Sequence, residues 1–321
     1  MRAVTFQAPG EVRVEDVREP ELIDATDAIV RIAASGVCGS DLHIYHGRVK
    51  IEPGFTIGHE YVGTVTAVGD EVRDVAVGDR VLGCFQTACG HCFFCSRGLF
   101  HKCDSSRTFG HGAALGSLPG TQAELALVPN ADLVLRRVPA EMSDDVALFA
   151  GDVMGTGYHA AAESGLQQGD VAAVLGLGPV GLCAVQAALA LGAADVIAID
   201  TVPERLAMAA SFGALAVHLT DDDPRALELA IRLTRKCGTV QAVGVYAERC
   251  EVHMGLFWIK ALSMRSGHAN VIGHVDTVLE LMSSGRLDPA PLVTHHMALD
   301  DAPDAYALYD RREALKIVLQ P

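Results

Sequence analysis

The chain has 321 residues, and its 40 acidic and 25 basic side chains give a formal net charge of −15. This length favours two domains, and a composition that is 50% hydrophobic can bury two cores. The excess of acidic side chains argues against nucleic acid or an anionic membrane as a partner. No apolar run is long enough to span a bilayer. Because no secretory signal is recognisable, we expect a cytoplasmic protein.

Residues 1–150 predict a compact, mostly antiparallel β domain. Short β-branched or alternating runs are separated by glycine and proline, as at Ala28 to Ala33, Tyr61 to Val68 and Arg80 to Gly83. The alanine-rich stretch from Ala147 to Glu163 then indicates a helix. The change of pattern places the first domain boundary near this stretch.

Residues 151–269 predict an α/β domain, because apolar strands alternate with helical stretches. The predicted strands are Val171 to Leu175, Asp195 to Asp200, Ala216 to Leu219, Thr239 to Val245 and Ala261 to Ser266. Residues 270–321 predict a helix that ends near Gly285 and a last strand, Lys316 to Leu319, that returns to the first domain.

Four cysteines in a short lobe, at about residues 84–104, predict a structural zinc site. Cys89, Cys92, Cys95 and Cys103 are separated by two, two and seven residues. Four thiolates fill a tetrahedral coordination sphere and leave no position for a substrate. An iron–sulfur cluster is the competing interpretation, but the spacing departs from the common ferredoxin run.

The remaining isolated cysteines are expected to pack in the core, like small apolar side chains. They are Cys84, Cys183, Cys237 and Cys250.

A second group of candidate ligands indicates an open metal site. Cys38 lies in the segment Gly-Val-Cys-Gly-Ser-Asp-Leu-His, and His59 lies in Gly-His-Glu. Either residue alone is more often a packed core residue than a ligand. Together with the cysteine lobe they suggest a second zinc site that keeps a position free for catalysis.

A glycine-rich turn after the strand Val171 to Leu175 predicts a dinucleotide site. The turn reads Gly176-Leu-Gly178-Pro179-Val180-Gly181, and Asp200 ends the next strand. Its glycines allow a tight turn and close approach of a pyrophosphate to backbone N–H groups. A carboxylate at Asp200 favours the ribose hydroxyls of NAD over the 2′-phosphate of NADP, although Arg205 lies nearby.

In this order, these motifs resemble the zinc-containing medium-chain alcohol dehydrogenases over nearly the whole chain. The resemblance implies a GroES-like, mostly antiparallel β catalytic domain and an α/β domain with a Rossmann-type, doubly wound parallel sheet. It also implies two zinc ions per chain, NAD as cofactor and a small alcohol or aldehyde as substrate. The expected assembly is a homodimer or a homotetramer.

The same resemblance implies roles for individual residues. Cys38, His59 and Asp152 are the implied ligands of the catalytic zinc, and Glu60 is the acidic neighbour of the metal. Ser40 is expected to receive the proton of the substrate, and His43 is the candidate that passes it to solvent. The segment around Asp152 is most similar to the formaldehyde dehydrogenase-like branch of the family.

The second domain departs from the family near residues 220–238, where it is shorter by about one strand and one helix. We therefore predict that Thr239 to Val245 pairs directly with Val171 to Leu175, reached through a helix from Pro224 to Lys236. Val243 and Gly244 would then lie beside the cofactor. A family member that binds zinc and nucleotide with impaired catalysis is the alternative to an active enzyme.

Overall fold

The computed structural model describes residues 1–220, 226–244 and 249–321. They form two compact units. The first unit comprises Met1–Asp152, Asn270–Ser283 and Pro289–Pro321, and the second unit comprises Val153–Ala269 and Ser284–Asp288.

Fifteen strands and ten α-helices lie in the described part of the chain, and none of these helices is both long and apolar enough to cross a membrane. In chain order they are β1 Arg2–Ala8, β2 Glu11–Asp16, β3 Ala28–Val37, α1 Gly39–Tyr45, β4 Phe55–Thr56, β5 Glu60–Val68, β6 Arg80–Gly83, β7 Leu125–Val128, α2 Ala131–Val134, β8 Leu135–Arg137, α3 Asp144–Ala147, α4 Val153–Glu163, β9 Val171–Leu175, α5 Pro179–Ala190, β10 Asp195–Asp200, α6 Pro203–Ser211, β11 Leu215–His218, α7 Ala226–Leu233, β12 Thr239–Ala242, α8 Met254–Ile259, β13 Ser263–Ser266, α9 Val271–Ser283, β14 Val293–Ala298, α10 Ala302–Asp310 and β15 Lys316–Gln320.

The first unit is built on antiparallel β-sheet, as predicted. Its larger sheet has the order β14-β15-β3-β5-β6-β8, with β7 also paired to β3, and a smaller sheet has the order β2-β1-β4. Within these sheets only β14 and β15 run parallel. The last strand does return to this unit, because β15 pairs antiparallel with β3 and places Ile317 opposite Val37.

A hydrophobic core supports the helix α1 and the strands around it. Val4, Ile44, Ile57, Tyr306 and Ile317 are all fully buried in this core. Because Ile44 anchors α1 from its apolar side, the start of that helix is held in a fixed position. The residues just before and within α1 are those that the sequence singles out as candidate ligands and proton acceptors.

The second unit contains parallel sheet, which confirms the α/β prediction for this part of the chain. The strands β11, β10 and β9 form one parallel sheet, and β12 and β13 form another. β9 and β10 have the bounds that the sequence predicts. The helix α5 packs on α4, and also lies against β9 and β10.

The predicted pairing of Thr239 to Val245 with Val171 to Leu175 is wrong for the described residues. β12 pairs with β13, and β9 is the edge of its sheet, where Val171 is 59% exposed. The physical reason is a separate small core, in which Leu227 and Ile231 of α7 pack with Val240 and Leu262. This packing ties β12 to α7 and β13, and α7 itself lies near β9. Val245 and Pro224, at the ends of the predicted strand and helix, lie outside the described residues.

Candidate metal centres and nucleotide-binding turn

The four cysteines of the lobe come together as predicted. The sulfur atoms of Cys89, Cys92, Cys95 and Cys103 all lie within 4.8 Å of one another, and all four are free of disulfides. Backbone N–H groups point at the sulfurs: Cys89 N lies 3.2 Å from Cys103 Sγ, and Ser105 N lies 3.4 Å from the same atom. N–H donors of this kind stabilise thiolates, which are the form that binds metal.

The acid–base balance of the lobe fits a bound cation. N–H groups of Cys95 and Asp104 lower the pKa of Cys92 to about 6. Burial, together with the hydrogen bond to Cys92, raises the pKa of Cys95 to about 12. A thiolate at Cys95 is therefore unfavourable without a nearby positive charge, which a bound cation would supply. A tetrahedral zinc ion satisfies this donor set.

The other cysteines divide into two groups. Cys84 and Cys183 are buried, as predicted, and burial raises the pKa of Cys84 to about 12. Cys237 and Cys250 are exposed, so the prediction of core packing is wrong for these two. Cys237 lies in the turn between α7 and β12 with a positive φ of 58°, a conformation typical of surface turns.

The second cluster unites residues that are far apart in the sequence. One donor atom each of Cys38, His59, Glu60 and Asp152 lies within 4.8 Å of the others, and all four residues are buried. His59 Nε2 lies 3.1 Å from Asp152 Oδ2, and Cys38 Sγ lies 3.5 Å from the same oxygen. The structure thus brings together all the ligands implied for the catalytic zinc.

Each of these side chains is placed by a constrained backbone. Cys38 is the N-cap of α1, and His59 follows Gly58, whose φ of +92° favours glycine. Asp152 follows a single turn of 3₁₀ helix, Leu148–Gly151. A Cβ at Gly151 would lie 2.2 Å from the carbonyl oxygen of Gly83, so only glycine permits this close approach to β6.

Asp41 orients His59, a role that the sequence analysis did not assign. Asp41 Oδ1 lies 3.2 Å from His59 Nδ1, an ion-pair contact without the alignment of a hydrogen bond, and Nε2 lies toward the cluster. Asp41 Oδ2 accepts hydrogen bonds from Cys38 N at 2.9 Å and from Gln122 Nε2 at 3.4 Å. The Tyr306 hydroxyl donates in turn to Gln122 Oε1. A carboxylate behind a ligating histidine fixes its tautomer and raises its basicity.

Glu60 is held by Lys316, a second residue that the sequence analysis missed. Lys316 Nζ lies 2.7 and 2.6 Å from the two carboxylate oxygens, and both side chains are fully buried. Lys316 also donates to Val37 O at 3.2 Å. A Cβ at Gly36 would lie 2.1 Å from Glu60 Oε2, so glycine leaves the space that this carboxylate fills. The signal in the sequence was a lysine directly before the apolar run Ile317 to Leu319.

The two residues proposed for proton transfer are placed differently. Ser40 Oγ lies 3.2 Å from His59 Nε2, at the edge of the cluster. His43 lies in the last turn of α1, and its Nδ1 is buried without a hydrogen-bond partner among the described residues. Burial, with the nearby charges of Arg48 and His46, lowers the pKa of His43. Ser40 therefore reaches the cluster, and no hydrogen bond connects His43 to it within the described residues.

The charges of the second cluster also call for a cation. Burial raises the pKa of Cys38, and the charges of Asp152 and Glu60 raise it further. Burial opposes protonation of His59, but Asp41 and Asp152 raise its pKa well above the usual range. Burial also opposes ionisation of Asp152, yet the hydrogen bond and charge of His59 lower its pKa to about 2. The proton on His59 lies beside the Asp152 carboxylate, and a divalent cation bound by a neutral His59 would supply positive charge in the same place.

The glycine-rich turn of the second unit has the geometry of a dinucleotide site. Gly176 has a φ of +86°, and a Cβ at Gly181 would lie 1.9 Å from the Gly176 carbonyl oxygen. Gly178 is the N-cap of α5, Pro179 and Val180 begin that helix, and a Cβ at Gly178 would meet nothing within 4 Å. Backbone N–H groups at the start of α5 are thus open to an anion.

Asp200 is fixed beside this turn. Its Oδ2 accepts a hydrogen bond from Leu177 N at 2.5 Å, and its Oδ1 accepts bonds from Thr201 N and Val202 N. Arg205 is half-buried on α6.

Val243 and Gly244 follow β12 and belong to no strand paired with β9 in the described residues. The predicted route that would bring them to the cofactor is therefore absent from this part of the chain.

Comparison with known proteins agrees with this geometry. Residues 24–140 match the family model for the alcohol dehydrogenase GroES-like domain, and residues 179–225 match the model for the zinc-binding dehydrogenase domain. The first match covers the metal ligands before residue 141, and the second begins at Pro179, within the glycine-rich turn.

Individual relatives match over the full chain. An uncharacterized zinc-type alcohol dehydrogenase-like protein from Bacillus subtilis, AdhB, is 32% identical over 378 residues, with 100% of both chains covered. The glutathione-independent formaldehyde dehydrogenase of Pseudomonas aeruginosa is 28% identical over 389 residues, covering 100% of this chain and 97% of that protein. The solved structure of alcohol dehydrogenase TADH from Thermus sp. ATN1 is 40% identical, with a TM-score of 0.94 and coverage of 100% and 99%. The chain therefore belongs to the zinc-containing, medium-chain alcohol dehydrogenase family.

Proposed function

We propose that this protein is an NAD-dependent zinc alcohol dehydrogenase that interconverts a small alcohol and its aldehyde or ketone. The observation that carries the proposal is the buried cluster of Cys38, His59 and Asp152, with donor atoms within 4.8 Å of one another. Three protein ligands leave one position for a substrate, which is the arrangement of catalytic zinc sites. The four-cysteine lobe supports a second, structural zinc.

The chain's own residues supply positioning and proton transfer. Zinc at Cys38, His59 and Asp152 would act as a Lewis acid toward the alcohol oxygen, and NAD would accept the hydride. Asp41 keeps His59 Nε2 directed at the cluster. The hydroxyl of Ser40, next to that nitrogen, accepts the proton that the substrate loses. His43 passes it on only after a rearrangement or through water.

Glu60 is proposed as a fixed acidic neighbour of the metal. Its carboxylate lies within the ligand cluster but is anchored by Lys316, so the pair adds no net charge to the buried site. Removing one partner of a buried ion pair usually destabilises the folded protein by about 3–5 kcal/mol. This cost supports a fixed role for Glu60 beside the zinc instead of a place among its permanent ligands.

The proposed cofactor preference rests on Asp200. Its carboxylate is oriented by three backbone N–H groups and ends the strand that follows the glycine-rich turn. A 2′-phosphate there would meet a fixed negative charge, and the two ribose hydroxyls of NAD would meet a hydrogen-bond acceptor. Arg205 remains a proposed contact of the cofactor, whereas Val243 and Gly244 lose their support because β12 does not pair with β9 in the described residues.

The proposed domain division is 1–150, 151–269 and 270–321, with one strand and helix omitted near residues 220–238. The 378 aligned positions with the Bacillus subtilis relative exceed the 321 residues here by 57, which supports an omission. The formaldehyde dehydrogenase-like branch is proposed as the branch of the family that the segment around Asp152 resembles most.

We also propose a cytoplasmic homodimer or homotetramer. Exposed apolar side chains of the second unit support self-association, since Met254, Trp258 and Ile259 of α8 are 64%, 77% and 64% exposed.

A direct test combines a metal assay with a substrate panel. Protein loaded with zinc is mixed with saturating NAD and with primary alcohols, secondary alcohols, polyols and formaldehyde, and NADH is followed by absorbance. Turnover of at least one alcohol supports the proposal. Binding of NAD and two zinc ions without turnover of any compound would favour the catalytically impaired alternative.

A further inference from the structure

His111 lies beside the metal cluster, although no motif drew attention to it. It is flanked by Gly110 and Gly112, which have positive φ values of 70° and 64°. A Cβ at Gly110 would lie 2.6 Å from both N and O of Gly58. Gly110 therefore allows this segment to lie directly against the turn that carries His59.

The His111 ring is oriented by two contacts. Its Nδ1 lies 2.8 Å from the carbonyl oxygen of Phe109, so Nδ1 carries a proton and donates it. Its ring stands edge-to-face against the His59 ring, with 5.2 Å between centroids and an interplanar angle of 64°. The backbone and the metal cluster thus hold His111 from two sides.

The other ring nitrogen, Nε2, is left available. This nitrogen makes no hydrogen bond among the described residues. It is also not among the fully buried side-chain atoms that lack a hydrogen-bond partner. His111 is 8% exposed, so little solvent reaches it. It does not belong to the group of donor atoms that can share a metal ion with His59. A hydroxyl of a bound molecule can donate a hydrogen bond to an acceptor in this position.

His59 has a different neighbour in Phe85. The Phe85 ring also stands edge-to-face to His59, with 6.3 Å between centroids, and is nearly buried. One aromatic neighbour of the ligand is therefore apolar and the other carries a hydrogen-bond acceptor. An unbranched alkyl alcohol can pack against the Phe85 ring, but it has no second hydroxyl to donate to His111 Nε2.

From this asymmetry we infer that His111 is a specificity residue, whose Nε2 accepts a hydrogen bond from a second hydroxyl on the carbon next to the reacting carbinol. The preferred substrates are then vicinal diols and polyols, over alcohols of the same skeleton with one hydroxyl. This inference rests on the proposed function, because it assumes that the substrate oxygen binds at the cluster of Cys38, His59 and Asp152.

The test compares 2,3-butanediol with 2-butanol in the zinc-loaded protein with saturating NAD. In the unmodified protein the diol has the higher kcat/KM. His111→Phe keeps an aromatic ring against His59 but removes the acceptor, and lowers the diol-to-monoalcohol ratio of kcat/KM about tenfold. His111→Gln keeps an acceptor at similar reach and restores part of the ratio. Zinc content and thermal unfolding are measured for each variant.

Each outcome decides a separate question. An unchanged ratio in His111→Phe, or an equal loss for both alcohols, overturns the role in specificity and leaves the proposed function intact. If the unmodified protein oxidises neither alcohol, the proposed function fails instead. The inference is then decided by calorimetric titration of the two alcohols into zinc-loaded protein without NAD, where weaker binding of the diol to His111→Phe supports it and equal binding overturns it.

Discussion

The first and second units differ in how their functional residues are held. In the first unit, Cys38, His59 and Asp152 meet in one buried cluster, and Asp41 and Lys316 fix the groups around it. In the second unit, the glycine-rich turn and Asp200 are well placed, but the strands divide into two separate sheets. The metal site is therefore complete within one unit, whereas the sheet expected to carry the nucleotide site is divided.

The difference shows that local motifs and long-range pairing are determined by different forces. A ligand cluster needs a few fixed side chains, and each is placed by a cap, a glycine or a buried partner. A continuous sheet needs every neighbouring strand, so the loss of one strand leaves an edge on each side. If this comparison is correct, changes in the first unit should remove zinc and catalysis, and changes in the second should alter cofactor use or stability.

Asp152→Ala should have the largest effect. Removing this ligand takes away one of three donors, and we expect kcat/KM to fall at least about 10³-fold, because metal catalysis supplies several kcal/mol. One zinc equivalent should be lost in elemental analysis. Asp145→Ala is the matched control, since Asp145 is paired with His296 outside the cluster. Full zinc content and near-normal turnover in Asp152→Ala would show that this carboxylate is not a ligand.

Asp200→Ser should relax the choice of nucleotide. Loss of the carboxylate removes hydrogen bonds to the ribose and repulsion of a 2′-phosphate, so the NAD-to-NADP ratio of kcat/KM should fall roughly 10- to 100-fold. Asp195→Ser, at the exposed start of the same strand, serves as the control. If the unmodified protein uses NADP as well as NAD, Arg205 and not Asp200 determines the preference.

Cys103→Ser should affect stability more than chemistry. One zinc equivalent should be lost from the lobe, and the Tm should fall by about 5–10 °C, because a structural metal contributes directly to folding. The exposed Cys237 provides the control Cys237→Ser, which should change neither value. If the Tm stays unchanged after this zinc is lost, the zinc of the lobe does not stabilise the fold.

The sequence predicted the ligands and the glycine-rich turn because these are local patterns with specific spacing. It missed Asp41 and Lys316, since the contacts that give them a role join residues 18 and 256 positions apart. Exposed Cys237 and Cys250 were missed because composition says nothing about which turn reaches the surface. The pairing of β12 could not be derived by counting strands, because the packing of Leu227 and Ile231 against Val240 competes with it.

Val171→Thr should have the smallest effect, and it tests whether β9 is a true sheet edge. Val171 is 59% exposed, so replacing a methyl group with a hydroxyl there should change the free energy of unfolding by no more than about 0.5 kcal/mol. The same substitution at Val196 of β10, which is fully buried, should destabilise by about 1–3 kcal/mol because the hydroxyl loses its hydrogen bonds with water. Urea unfolding of both variants, followed by fluorescence and circular dichroism, measures the difference.

If β12 lay against β9 and covered it, the two substitutions would destabilise the protein to a similar extent. Equal costs would therefore restore the paired arrangement that the sequence predicted, and unequal costs support a cofactor unit whose first strand remains open.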